Sequence, residues 1–257
     1  MSLIMRLSEE YPCDYLPGRC ARSAFVAPDA VMTTQLYSRL AEHGYRRSGR
    51  LVYRPQCQLC SACVPVRIPV DLFMPSRAQR RTLKKNADLR VAERPAVFRR
   101  EHFALFERYI KTRHAHSGME SSSPDDYIRF MTSPWSNTKF YEFRLVESLI
   151  AVAVVDRIEN GLSAVYTFFD PALETRSPGV YAVLWQVQLA RRLALPWVYL
   201  GYWIQGCRKM TYKSRFKPLE GYLKGQWVLV EKAVSATAAA TPEDGAPARK
   251  YGSKEVG

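Results

Sequence analysis

Between Phe140 and Leu200 the chain carries three runs rich in β-branched and aromatic residues, then a stretch of helical period, then a fourth short apolar run. Phe140–Leu145, Leu149–Val155 and Leu162–Phe169 read as strands, and a turn at Asn160-Gly161 joins the second to the third. After Pro178-Gly179, the residues Val180, Val183, Leu184 and Val187 fall at i, i+3, i+4 and i+7, one face of a helix running to about Leu193. Pro196 stops that helix, and Trp197–Leu200 follows as a short buried strand. An antiparallel meander, a helix and a returning strand imply a mixed sheet with helices on its faces.

The flanking segments extend this plan. Phe103, Phe106 and Ile110 repeat at helical spacing, and Pro124-Asp125-Asp126 opens a short helix that ends near Met131. An amphipathic segment, Cys207–Phe216, and a last strand, Gln226–Val230, close a region spanning 96–232. The fold class predicted is α+β, in the element order of the N-acetyltransferase superfamily, a mixed sheet with flanking helices. Residues 1–95 read as a smaller, basic, cysteine-containing N-terminal domain with short apolar runs at Arg50–Tyr53 and Val64–Val70. Residues 233–257 are Ala, Thr, Pro and Gly with scattered charge, too poor in bulky apolar side chains to order themselves, so a disordered tail is expected.

The formal charge of +14 is uneven. Residues 1–95 hold sixteen Lys or Arg against eight Asp or Glu, whereas the tail from Ser235 holds three of each. A folded basic surface suits a polyanionic partner, because each neutralised phosphate releases counterions. Nucleic acid is the leading candidate. The run Arg77, Arg80, Arg81, Lys84 and Lys85 concentrates this charge at i, i+3, i+4, i+7 and i+8, one stripe of a helix capped by Ser76. No carboxylate interrupts it before Asp88, so phosphate contact is favoured over a merely solvated face. No apolar run approaches the ~18 uncharged residues of a membrane span, and the first ten residues do not resemble a signal peptide. A soluble, cytoplasmic protein without membrane partners is expected, with its six cysteines reduced.

Five strings in order then become specific: Cys13-Asp14-Tyr15-Leu16-Pro17-Gly18-Arg19, Arg46 to Pro55, Tyr166-Thr167-Phe168-Phe169-Asp170-Pro171, Tyr199 to Ile204, and Cys207 to Lys213. Together they resemble the arginyl-tRNA protein transferase family, and within it the bacterial aspartate/glutamate leucyltransferase branch, over almost the whole chain except the tail. The resemblance implies an aminoacyltransferase that carries leucine from leucyl-tRNA to proteins whose first residue is Asp or Glu, marking them for degradation by the N-end rule. Its partners would be leucyl-tRNA and those acceptor proteins, and no cofactor is required.

The residues suit that chemistry. An aminoacyl ester is already activated and an α-amine has a pKa near ~7.7–8.0, so the enzyme has mainly to position the two. Asp170 is the candidate for holding or deprotonating the amine, and Tyr166 for donating to the oxyanion or the leaving ribose hydroxyl; a turn and a core strand position account for the pair without chemistry. Lys209 and Lys213, four apart on an expected helix face with Tyr212 beside them and Tyr202 on the preceding strand, are candidates for reading the acidic acceptor. Arg46, Arg47 and Arg50 form a second cationic group suited to acid recognition or to tRNA. Cys57, Cys60 and Cys63, with Cys13 as a fourth ligand, have a spacing able to bind zinc or an iron–sulfur cluster, and a tightly packed loop explains it equally. Eukaryotic family members carry N-terminal cysteines credited with metal binding, but spaced differently. Cys20 and Cys207 read as structural. His43, His102, His114 and His116 read as solvent-exposed. A rival acetyl-CoA transferase would need a glycine-rich pyrophosphate cradle after the central strand, and only Gly179 lies between Asp170 and Trp185.

Overall fold

The computed structural model describes residues 3–113 and 123–230. The chain opens with β1 (Met5–Leu7), β2 (Tyr11–Pro12), β3 (Cys20–Ala21) and β4 (Ser23–Val26), then helix α1 (Thr34–Glu42). Next come β5 (Arg46–Ser48), β6 (Leu51–Pro55), β7 (Val64–Pro69), α2 (Arg77–Lys85) and β8 (Arg90–Pro95). Helices α3 (Arg100–Arg113) and α4 (Pro124–Met131) precede the meander β9 (Asn137–Leu145), β10 (Ser148–Ile158) and β11 (Gly161–Phe169). Helix α5 (Pro178–Arg192), β12 (Trp197–Trp203), β13 (Glu220–Leu223) and β14 (Gln226–Leu229) complete the described fold.

A small sheet has the order β1-β4-β6-β5, and a large one the order β14-β13-β7-β12-β11-β10-β9-β8. β8 to β11 form an antiparallel meander, and β12 returns through α5 to lie parallel to β11. This is the α+β arrangement, a mixed sheet with flanking helices, that the element order predicts. Two departures concern the N-terminal part. β7 lies between β12 and β13, and β8 forms the far edge, so the large sheet runs across the boundary expected at residue 95. The run Val64–Val70 supplies that central strand because nearly all of it is buried, as a strand covered on both faces must be.

The alternation of β10 divides the core. Ala151, Ala153 and Val155 join α5 residues such as Ala182, Leu184 and Val187 on one face. Val152 and Val154 join Phe106, Ile110, Tyr127 and Met131 of α3 and α4 on the other. Helix α1 covers the same sheet near Ile158 and Tyr199, with Tyr37 hydroxyl 3.2 Å from Ser163 Oγ. The small sheet is fastened to the large one by a buried ion pair: Arg47 of β5 reaches Asp156 of β10 through Nε at 2.5 Å and Nη2 at 2.7 Å, and Nη2 also donates to the Met131 carbonyl. Among the described residues no helix is long and apolar enough to cross a membrane. The tail 233–257 and the residues His114 and His116 lie outside the described residues.

Candidate active site

β11 and β12 pair over only three residues, from Gly161 opposite Trp197 to Ser163 opposite Tyr199. Each strand then continues, to Phe169 and to Trp203, without its neighbour, and a crevice opens between them. The divergence has a local cause. The register of β12 against β7 shifts between Tyr199 and Gly201, and Gly201 has φ +71°, a left-handed conformation that glycine adopts freely.

Arg46 of β5 fills the mouth of the crevice. Its Nη2 donates to the Val165 carbonyl of β11 at 3.0 Å, taking the place of the lost strand partner. Its Nη1 lies so close to Gly201 that a Cβ there would collide with it. Successive residues of a strand point to opposite sides, so Arg46 enters the crevice because Arg47 is committed to Asp156.

Tyrosines surround the guanidinium. Tyr15, Tyr37, Tyr53 and Tyr202 lie within its electrostatic reach. The single hydroxyl proton of Tyr202 is shared between the Tyr53 carbonyl at 3.0 Å and the Gly44 carbonyl at 3.2 Å, tying β12 to the small sheet. Tyr166 packs edge-on against Phe130 at 5.3 Å, Phe106 at 6.2 Å and Tyr109 at 6.4 Å. Burial pushes the Tyr212 phenol up to about 12 and raises Tyr166 and Tyr202 as well. These hydroxyls stay protonated near neutrality and act as neutral hydrogen-bonding groups.

Lys213 is buried, and its Nζ donates to the Tyr202 carbonyl at 2.5 Å. Burial, reinforced by the Arg46 charge, lowers its pKa to about 7, with Cys207 acting in the opposite sense. The lysine is therefore poised between charged and neutral at cellular pH.

The helix expected over Cys207–Phe216 does not form. A turn leads into a 3-10 helix, Thr211–Arg215, so Lys209 precedes the helix and is exposed while Lys213 points inward. Their expected common face is thereby lost. Asp170 directly follows the last residue of β11. It caps the 3-10 turn Pro171–Arg176 by accepting from Ala172 N at 3.0 Å, and its carboxylate lies 3.7 Å from exposed Arg108. The crevice thus gathers Tyr202, Tyr212 and Lys213 about Arg46, with Tyr166 next to Val165 on β11, whereas Lys209 is exposed and Asp170 caps the turn after that strand. Arg47 is consumed by Asp156, and Arg50 is exposed.

Helix α2 starts at the expected cap, with Ser76 and Gln79 forming a capping box. Gln79, Leu83 and Asn86 turn inward, whereas Arg77, Arg80, Arg81, Lys84 and Lys85 are all exposed. Arg80 donates to the Pro75 carbonyl and Lys85 to the Thr175 carbonyl, both within the protein. The cysteines converge. Burial and the neighbouring thiols of Cys57, Cys13, Cys60 and Cys207 push Cys63 up to about 12. Cys60 Sγ accepts from Arg19 and Cys57 Sγ from Arg22 N, each at 3.4 Å. Among the described residues no three His, Cys, Asp or Glu side chains are arranged to hold a metal ion. His43 is exposed as expected, but His102 is not: it is buried, 2.7 Å from Glu142, because its position on α3 faces the sheet.

The sequence left Arg46 undistinguished from Arg47 and Arg50, and it passed over Tyr15, Tyr53 and Tyr109. Two signals bear on them: strand alternation separates Arg46 from Arg47, and Gly201 between strand aromatics marks a bulge.

Comparison with known proteins places this crevice in context. Residues 11–81 match the family model described as arginine-tRNA-protein transferase, N terminus, and residues 101–223 the one described as its C terminus. The aspartate/glutamate leucyltransferase of Nitrosococcus oceani is 52% identical over 88% of this chain and 95% of its own length. That of Hahella chejuensis is 47% identical over 89% of this chain and 98% of its own. Among solved structures, L-PGS from Bacillus licheniformis aligns with 69% of this chain and 64% of its own at 11% identity and a TM-score of 0.43. With both halves of the family model matched in order, the chain belongs to the arginine-tRNA-protein transferase family.

Proposed function

We propose that this chain transfers leucine from leucyl-tRNA to the N-terminus of proteins beginning with Asp or Glu. The observation that carries the proposal is close identity, over nearly their full length, to relatives named aspartate/glutamate leucyltransferase. In the reaction the acceptor's α-amine nitrogen attacks the ester carbonyl carbon of leucyl-tRNA. An amide bond forms, the ester C–O bond breaks, the amine gives up a proton and the ribose hydroxyl leaves with one. The equation balances without a cofactor.

Tyr166, which keeps its proton near neutrality, donates to the oxyanion or to the leaving ribose oxygen. Asp170, at the end of the same strand, holds or deprotonates the amine. The exposed basic stripe of α2 contacts phosphates of the tRNA. The crevice supports leucine over arginine as donor. A guanidinium-bearing aminoacyl group calls for a buried carboxylate, and the charges gathered here are the cations Arg46 and Lys213. Charged tRNA and acceptor proteins are cytoplasmic, so the enzyme works there, in the N-end rule route to degradation.

The test uses leucyl-tRNA and arginyl-tRNA, each radiolabelled, with peptides beginning with Asp. Leucine should appear at the peptide's N-terminus. Transfer of arginine in its place, or tRNA binding without any new amide, overturns the proposal.

A further inference from the structure

We infer that Arg46 and Lys213 together receive the side-chain carboxylate of the acceptor's first residue, inside the crevice between β11 and β12. The inference rests on the leucyl-transfer function proposed above and adds where the acidic residue is read.

The first argument is charge balance. Arg46 and Lys213 take part in none of the ion pairs among the described residues, yet they stand close enough for one charge to depress the other's protonation. Lys213 is buried and Arg46 half-buried, and cations withdrawn from water are ordinarily paired, because desolvation penalises an isolated charge. Two cations side by side with no facing carboxylate are a site short of one anion.

The second argument is donor capacity. The Lys213 ammonium has three N–H groups, and one is directed at the Tyr202 carbonyl. Arg46 has five, of which one bonds to the Val165 carbonyl. Both side chains are oriented by main-chain oxygens of the two diverging strands, one from each strand, and keep donors for a ligand between them. Burial raises the nearby phenols of Tyr15 and Tyr202, which carry no competing negative charge near neutrality.

The third argument is elimination among the cations of the family motifs. Arg47 is locked to Asp156, and Arg50 and Lys209 are exposed outside the crevice. Asp and Asn have nearly the same shape, so discrimination between them has to come from charge, and these two side chains supply it.

The groups facing Lys213 are Arg46 from β5, Tyr202 from β12, Cys207 from the loop that follows, and Tyr212 on its own segment, with Tyr109 of α3 behind Tyr212. Between pH 6 and 8.5 Arg46 keeps its charge and the phenols of Tyr109, Tyr202 and Tyr212, raised by burial, keep their protons. Lys213 therefore governs how acid selectivity varies with pH in that range.

The experiment measures kcat/KM for otherwise identical peptides beginning with Asp and with Asn, from pH 6 to 8.5. The α-amine titrates at a higher pH beside the Asp carboxylate than beside the Asn amide, so each peptide's amine pKa is measured and kcat/KM is referred to the neutral amine; what remains of the pH dependence reports ionisations of the free enzyme. The Asp-over-Asn ratio should fall several-fold as pH rises and Lys213 loses its charge. Lys213→Arg should hold the ratio high at pH 8.5, whereas Lys213→Gln and Arg46→Gln should each lower it about tenfold or more while leucyl-tRNA still binds. A ratio that is flat with pH in the unmodified enzyme overturns the inference, even if a variant fails to fold. Variants that lose leucyl-tRNA affinity but keep the ratio also overturn it, since the cations would then hold a phosphate. If the unmodified enzyme transfers leucine to neither peptide, the leucyl-transfer proposal itself fails and this one falls with it.

Discussion

Arg47 Nε and Nη2 meet the two carboxylate oxygens of Asp156 at 2.5 and 2.7 Å, and neither side chain reaches solvent. Thr138 and the Met131 carbonyl complete the hydrogen bonds around the pair. Removing one partner strands a buried charge, which costs about 3–5 kcal/mol, whereas replacing both by apolar groups costs far less. Arg47→Met should lower the melting temperature by about 10 °C on calorimetry, and Asp156→Leu added to it should recover much of the loss. Equal destabilisation by the single and double variants would show that the pair does not hold the small sheet to the large one.

Gly201→Ala tests the bulge that opens the crevice. The residue would sit at φ +71°, which costs about 1–2 kcal/mol for a residue with a Cβ, and its methyl would collide with Arg46 Nη1. The collision is with a side-chain end, so the fold should survive. Arg46, however, must leave the Val165 carbonyl. Transfer to Asp-initiated peptides should fall by more than about tenfold, with a melting temperature lowered by only a few degrees. Unchanged transfer would mean that the placement of Arg46 is immaterial.

What the sequence revealed follows from the range of each interaction. Local periodicity is enough to mark α5, the meander and the Ser76 cap, because those elements carry their own patterns. The places of β7 and β8 in the large sheet are not legible in local pattern, because β7 pairs with strands more than a hundred residues away and β8 pairs with β9 across two intervening helices. The amphipathic spacing of Cys207–Phe216 predicts a helix face carrying Lys213. The tertiary hydrogen bond to Tyr202 and a tighter 3-10 turn set its direction instead. Arg46 acquires its position only when β5, β11 and β12 meet, so no local motif distinguishes it from Arg47.

The α2 stripe predicts a salt effect. Arg80 and Lys85 already donate to the Pro75 and Thr175 carbonyls, so Arg77, Arg81 and Lys84 make the cleaner variant. Changing these three to Glu should weaken tRNA binding and flatten its dependence on log salt by up to about 2–3, at ~0.7–0.9 per phosphate contact. Thermal stability should hardly change, because exposed charges contribute little to it. Binding titrations at several salt concentrations decide the matter, and a slope equal to the parent's would make the stripe a solvated face.

Acid should unfold the α3 side of the sheet through Glu142. Burial opposes ionisation of this carboxyl, but hydrogen bonds from Arg144, His102 and Arg94 outweigh it and bring the pKa down to about 2. A carboxylate with a depressed pKa stabilises the fold above its unfolded value of ~4.5, and that contribution disappears as pH falls toward about 2. His102, lowered chiefly by burial, acts in the same direction, because acid must charge it. Glu142→Gln should be less stable than the parent by about 2 kcal/mol at pH 7, with the gap closing below about pH 3 in denaturant titrations. A gap independent of pH would assign the loss to packing.

Tyr166 and Asp170 differ in what their replacement removes, and that separates chemistry from structure. Tyr166→Phe keeps the ring contacts with Phe106, Tyr109 and Phe130 and deletes only the hydroxyl. If that hydroxyl donates to the oxyanion, kcat should fall about 10²-fold with little change in KM for the peptide or in tRNA affinity. Asp170 has a second duty, since its Oδ1 caps Ala172 N. Asp170→Asn keeps an oxygen for the cap and loses the charge, whereas Asp170→Ala loses both. If the carboxylate holds the α-amine, Asn and Ala should reduce transfer alike, and only Ala should also lower the melting temperature, by the ~0.5–2 kcal/mol of a lost cap. Normal transfer by the Asn variant would leave Asp170 as the cap of its turn, and normal kcat in Tyr166→Phe would leave Tyr166 as a packed strand residue.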